Sequence, residues 1–121
     1  MTLYHFTAKH LSENIKNTGL TLGAIPVMMF NRMVIIRGYI WLTDNPNRHE
    51  QYWDTMKVIP YSRTDVRLTV NIPNENKLKT MDDIKKLFTL PEGFFNCCYG
   101  AWYVYKGKIL PKYIVEYKEL R

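Results

Sequence analysis

The clearest periodicity in the chain lies in residues 66–72. Val66, Leu68, Val70 and Ile72 alternate with Arg67, Thr69 and Asn71. A period of two sends alternate side chains to opposite sides of a pleated strand, so this segment reads as a β-strand with one apolar and one polar face. Pro73 ends it, because proline has no amide to donate. Residues 39–43, Tyr-Ile-Trp-Leu-Thr, follow Gly38 and are apolar nearly throughout. They read as a buried strand, broken by Asp44-Asn45-Pro46-Asn47. A short strand over residues 3–6 opens the chain. Residues 101–105, 109–110 and 113–117 supply further strands, and in the last Tyr113, Val115 and Tyr117 alternate with Ile114, Glu116 and Lys118.

Two segments carry helical signals. Thr7 is placed to cap a helix over residues 8–18, with Leu11 and Ile15 on one face and Gly19 to end it. Thr80-Met81-Asp82-Asp83 resembles a capping box, and a helix follows to about residue 88. Ile84, Leu87 and Phe88 are expected to face inward and Lys85 and Lys86 outward. Residues 48–53 suggest a third, short helix before a break at Pro60. Residues 21–26 read as loop. Residues 27–36 are apolar without clean periodicity, and Asn31-Arg32 is expected to turn between two strands. The mixture of two or three helices with about six strands predicts an α+β domain rather than a doubly wound parallel sheet.

Length and composition narrow the class. At 121 residues the chain fits one domain, spanning residues 1–121, with a single core. The only cysteines are the neighbours Cys97 and Cys98. This excludes a disulfide scaffold and a zinc knuckle, and points to a reducing, cytoplasmic setting. No apolar run approaches the roughly 20 residues of a membrane-spanning helix. The amino end, Met1-Thr2-Leu3-Tyr4-His5, lacks the basic and apolar regions of a secretory signal. The formal charge of +6 suits anionic partners, whether nucleotide, nucleic acid or an acidic protein surface, and also simple solubility. Nine tyrosines and three tryptophans suit either a small core or a nucleotide pocket.

Candidate chemistry is sparse. There is no Gly-rich phosphate loop, no nucleophile elbow and no histidine spacing suited to a metal. His5 stands out because a strand fixes its imidazole, which can donate and accept hydrogen bonds. Arg63 and Arg67 present guanidinium forks suited to phosphate oxygens, and Arg67 lies on the polar face of the best strand. The plain alternatives are a satisfied core histidine and surface salt bridges. Trp41, Trp53 and Trp102 are either core residues or stacking surfaces for a base.

Three segments together resemble a family. Leu3-Tyr4-His5-Phe6-Thr7, followed by a helix and Gly19-Leu20, is similar to the opening of small ADP-ribosyltransferase-like proteins. That superfamily includes DNA-modifying bacterial toxins and NAD-type RNA 2′-phosphotransferases. Tyr39-Ile40-Trp41-Leu42-Thr43 resembles its second core strand, and Gly107-Lys108-Ile109-Leu110-Pro111-Lys112-Tyr113-Ile114 resembles its closing part. The resemblance implies two small packed β-sheets with NAD in the cleft between them. It implies that His5 bonds a ribose, the Phe6 backbone holds the nicotinamide amide, and Trp41 and Thr43 line the nicotinamide pocket. Thr7 would flank the cleft, with Arg63 and Arg67 near phosphate. Family members carry a glutamate near the last strands. The local match places Lys112 there, and Glu116 is the nearest carboxylate, about 13 Å further along a strand. The acceptor would be nucleic acid or protein. A catalytically inactive nucleotide- or nucleic-acid-binding module of the same fold is the alternative. So is a small phage- or mobile-element-encoded inhibitor acting through its surface.

Overall fold

The computed structural model describes residues 1–21, 23–47, 64–90 and 102–120. The architecture is α+β, with two helices and eight strands among the described residues. In chain order these are β1 (Thr2–Thr7), α1 (Lys9–Thr18), β2 (Ala24–Met29), β3 (Arg32–Arg37), β4 (Tyr39–Thr43), β5 (Val66–Asn71), β6 (Leu78–Thr80), α2 (Met81–Leu87), β7 (Trp102–Lys106) and β8 (Ile114–Glu119). Six strands form one sheet in the order β6-β7-β4-β1-β5-β8, and β2 and β3 form a separate hairpin.

The large sheet has a seam. β1 pairs with β5 along its whole length, from Thr2↔Asn71 to Thr7↔Val66, and β4 pairs with β7 from Tyr39↔Lys106 to Thr43↔Trp102. Between β1 and β4, by contrast, Tyr4↔Thr43 is the only registered pair. Two three-stranded halves, β6-β7-β4 and β1-β5-β8, are thus joined in the sheet by one registered pair.

Cross-strand partners share a face, so the register divides the side chains into two sets. On one side lie Leu3, Ile40, Leu42, Val66, Leu68, Val70, Tyr105 and Ile114, all buried, with Leu20, Ile109 and Ile15 of α1 packed on them. Leu20 and Ile109 exchange backbone hydrogen bonds of 2.8 and 3.0 Å. Gly19 allows this approach: its φ is +80°, and a Cβ there would collide with the Ile109 carbonyl. On the other side Tyr39 and Val104 pack with Ile25 and Val27 of the hairpin and Ile84 of α2. Each fully buried aliphatic side chain contributes about 1.5–3 kcal/mol of transfer free energy.

Local signals explain the helix ends. Thr80 Oγ1 accepts from Asp83 N at 3.2 Å and the Asp83 carboxylate accepts from Thr80 N at 3.0 Å, closing the expected capping box. These bonds hold the Asp83 carboxyl below its usual range. Helix α1 differs from expectation. Ala8 is its N-cap and makes no side-chain cap bond, because Thr7 still belongs to β1 opposite Val66. Its inward residues are Ser12 and Ile15, one turn apart below Ala8, whereas Leu11 is exposed. Likewise Ile84 is buried as expected, but Leu87 is exposed at the end of α2.

Three strand assignments also shift. Residues 24–26, expected as loop, belong to β2 despite Pro26. The hairpin turn is Phe30-Asn31, one residue earlier than expected, with φ of +51° and +60°. In β8 the register slips, with Thr69 opposite Glu116 and Val70 opposite Ile114. This bulge at Val115 puts Ile114 in the core and Glu116 on the opposite face, breaking the simple alternation. Residues 109–110 form an isolated bridge at Ile109, and Pro111–Tyr113 is a 3-10 turn. The expected helix over residues 48–53 lies outside the described residues. No described helix is long and apolar enough to cross a membrane.

Candidate functional site at the seam

Most of the singled-out side chains flank the seam, but they do so from two sides. Phe6 pairs with Arg67, and Tyr4 pairs with both Thr69 and Thr43. Thr69 in turn faces Glu116, and Thr43 faces Trp102. A row of aligned residues, Glu116–Thr69–Tyr4–Thr43–Trp102, thus crosses five strands on one face. Arg67, Phe6 and Trp41 lie on the same face, a pleat away. His5 and Thr7 pair with Leu68 and Val66 and so belong to the opposite, core-bearing face. The register separates His5 from the Arg67–Glu116 pair by the thickness of the sheet.

Arg67 is the most heavily engaged of these residues. Its side chain is 18% exposed. Nη1 donates to the Pro46 carbonyl at 3.1 Å, Nη2 lies 3.7 Å from the Glu116 carboxylate, and the guanidinium carbon stands 5.5 Å from the Tyr4 ring centroid. The buried Nε finds no acceptor among the described residues. A buried N–H without a partner costs about 1–3 kcal/mol, so the guanidinium keeps one unmet donor among the described residues. Glu116 also accepts from Thr69 Oγ1 at 3.2 Å. The bulge at Val115 delivers this carboxylate to Arg67; without it Glu116 would share a face with Ile114.

His5 holds the seam from the other side. Trp41 has no register partner on β1, and its carbonyl lies 2.7 Å from His5 Nδ1. A carbonyl only accepts, so Nδ1 carries the proton and donates. Burial pushes the His5 pKa down against the smaller, opposite influence of that hydrogen bond. The ring is therefore neutral near pH 7, with the lone pair on Nε2. Such an acceptor suits a hydroxyl donor and disfavours a phosphate oxygen.

The indole of Trp41 points away from His5. Its Nε1 donates to the Ala24 carbonyl at 2.8 Å and its ring meets Trp102 edge-on at 6.2 Å. Thr43 is buried, and its Oγ1 accepts from Asn45 N at 3.2 Å, which starts the turn after β4. Lys112 lies on the 3-10 turn with its ammonium 5.2 Å from the Tyr113 ring. Arg63, Trp53, His49 and both cysteines lie outside the described residues. No group of three or more His, Cys, Asp or Glu suited to a metal ion occurs among the described residues. Sequence reading missed Tyr4 and Thr69. Alternation could have found Thr69, which shares the polar face with Arg67, whereas Tyr4 needed the β1–β5 register.

No family model, curated protein or solved structure matches this chain.

Proposed function

We propose that the seam binds an NAD-type dinucleotide and that the protein is an ADP-ribosyltransferase-like transferase. The observation that carries this reading is Arg67, which lies on the face it shares with Tyr4, Phe6, Trp41 and Glu116 and whose buried Nε–H lacks an acceptor among the described residues. The resemblance implies a ligand held between two small sheets, whereas here β1 and β4 belong to one six-stranded sheet, so the ligand would lie on its Arg67-bearing face. The donor set also fits the ligand. The unmet N–H of Arg67 suits a pyrophosphate oxygen, and His5, bonded to the Trp41 carbonyl from the opposite face, would hold β4 in place beside it. A bound dinucleotide would supply a ribose carbon whose bond to nicotinamide breaks. Arg67 would orient its phosphates, and Glu116, held by Arg67 and Thr69, would offer a carboxylate to that carbon or to an incoming acceptor. The positive charge of the chain draws an anionic acceptor toward the site.

The position of Lys112 favours a second reading. By the resemblance, Lys112 falls where family members carry glutamate, and a cation there would suit a protein that grips the dinucleotide without turning it over.

The test is NAD-dependent thermal stabilisation of wild type, His5→Ala and Arg67→Leu, each compared with its own unliganded melting temperature. The proposal expects an upward shift in wild type that shrinks in both variants; no shift in wild type defeats it. Release of free nicotinamide then separates the readings. Turnover abolished by Glu116→Gln supports the transferase, while binding without release supports the inactive module.

A further inference from the structure

The hairpin of β2 and β3 carries an exposed apolar surface. Phe30 is 93% exposed, Met33 63% and Ile35 49%, while Ile25 and Val27 on the same hairpin are buried. Phe30 also occupies a turn position with φ of +51°. A bulky aromatic residue is costly there, and asparagine or glycine is favoured. Phe30 thus buries little surface at a turn position that disfavours it.

The edges of the hairpin are unequal. A two-residue turn with positive φ at both positions makes Met29↔Arg32 a hydrogen-bonded pair. Bonded and non-bonded pairs then alternate. The backbone groups of Arg32, Val34 and Ile36 point to β2, and those of Met33, Ile35 and Arg37 point outward. On β2 the outward groups are Met28, Pro26 and Ala24, and the structure uses them. Met28 N donates to the Thr89 carbonyl at 2.6 Å, Ala24 O accepts from Trp41, and Pro26 has no amide. On β3 the outward groups of Met33, Ile35 and Arg37 have no partner among the described residues.

We infer that β3 is a docking edge that takes an extended, acid-flanked segment of a partner protein as an added strand. Strand addition supplies the missing backbone hydrogen bonds and covers the exposed side chains. Charge complementarity chooses the partner. The segment from Ala24 to Arg37 carries Arg32 and Arg37 and no carboxylate, within a chain of net charge +6. A second copy would bring two more arginines to the same short edge. A lipid surface would accept Phe30 and Met33 but offers the unpaired amides no strand.

The test is an NMR titration of the whole chain with the capped hexapeptide Glu-Val-Thr-Val-Thr-Glu, and with the same peptide carrying lysine at both ends. The inference expects shifts centred on the Met33, Ile35 and Arg37 amides. The lysine peptide should bind roughly fivefold more weakly, as loss of two surface ion pairs implies. Ile35→Pro removes an outward amide and none of the bonds to β2, so it should abolish binding while the β2–β3 amide pattern persists; Ile35→Val should retain binding. Unmoved β3 amides, or equal binding of the two peptides, overturns the inference. So does concentration-dependent self-association through β3, or insertion of Phe30 into phosphatidylserine-containing vesicles while both peptides fail.

Discussion

Strands β5 and β3 are equally long, yet they meet opposite fates. β5 reads Val-Arg-Leu-Thr-Val-Asn and lies between β1 and β8. Its apolar residues are fully buried and its polar residues gather on one face around Arg67. β3 reads Arg-Met-Val-Ile-Ile-Arg and among the described residues has a strand neighbour on one side only. It is more apolar than β5, yet five of its six residues are exposed. Alternation marks a strand that separates core from surface. A continuous apolar run usually marks a strand buried on both faces. Where such a run is exposed, the molecule has placed core-like chemistry on its surface, which natural edges otherwise avoid. The contrast separates the proposed site within the sheet from the proposed docking edge.

The contrast breaks first at the core. Leu68→Ala on β5 should cost about 2–5 kcal/mol in denaturant unfolding, because it leaves a cavity in a closed core. A loss under about 1 kcal/mol would mean that β5 is not the interior strand described.

A smaller effect comes from His5, the β1 partner of Leu68. Its folded pKa is lowered, so the unfolded chain takes up the proton first. Stability should be full well above the unfolded value near 6.5 and should fall as pH drops below it toward the folded pKa. Melting curves across this range should show a slope that His5→Gln flattens. A slope of the opposite sign would contradict a neutral, buried imidazole.

On the hairpin, Phe30→Asn should raise stability by about 0.5–1 kcal/mol, since asparagine tolerates positive φ better. Unchanged or lowered stability would show that Phe30 is held by contacts its exposure does not reveal. Smallest of all, Ile35→Thr should change stability by less than about 0.5 kcal/mol, as for other surface sites. A loss comparable to that of Leu68→Ala would make β3 part of the core.

Much of the interior was legible in the sequence, and the reasons are local. The alternation of β5 and the Thr80–Asp83 box are decided by neighbouring residues, and both appear where expected. What was not legible depends on distant partners. Thr7 does not cap α1, because Val66 holds it in a strand. Pro26 suggested a loop, yet it sits in β2 at an outward position where no amide is required. The face of Glu116 was set by the bulge opposite Thr69 and Val70, which no periodicity in residues 113–117 announces. The same limit applies to the site. His5 and Arg67 could be chosen from their residue types, but their placement on opposite faces of one seam follows only from the register.

The central claim is that the seam, and not the hairpin, takes the dinucleotide. Amide shifts recorded on titrating the labelled chain with NAD test it directly. The account predicts movement at Tyr4, His5, Phe6, Trp41 and Arg67 with β3 unmoved. Movement confined to residues 32–37, or none at any concentration, would contradict it.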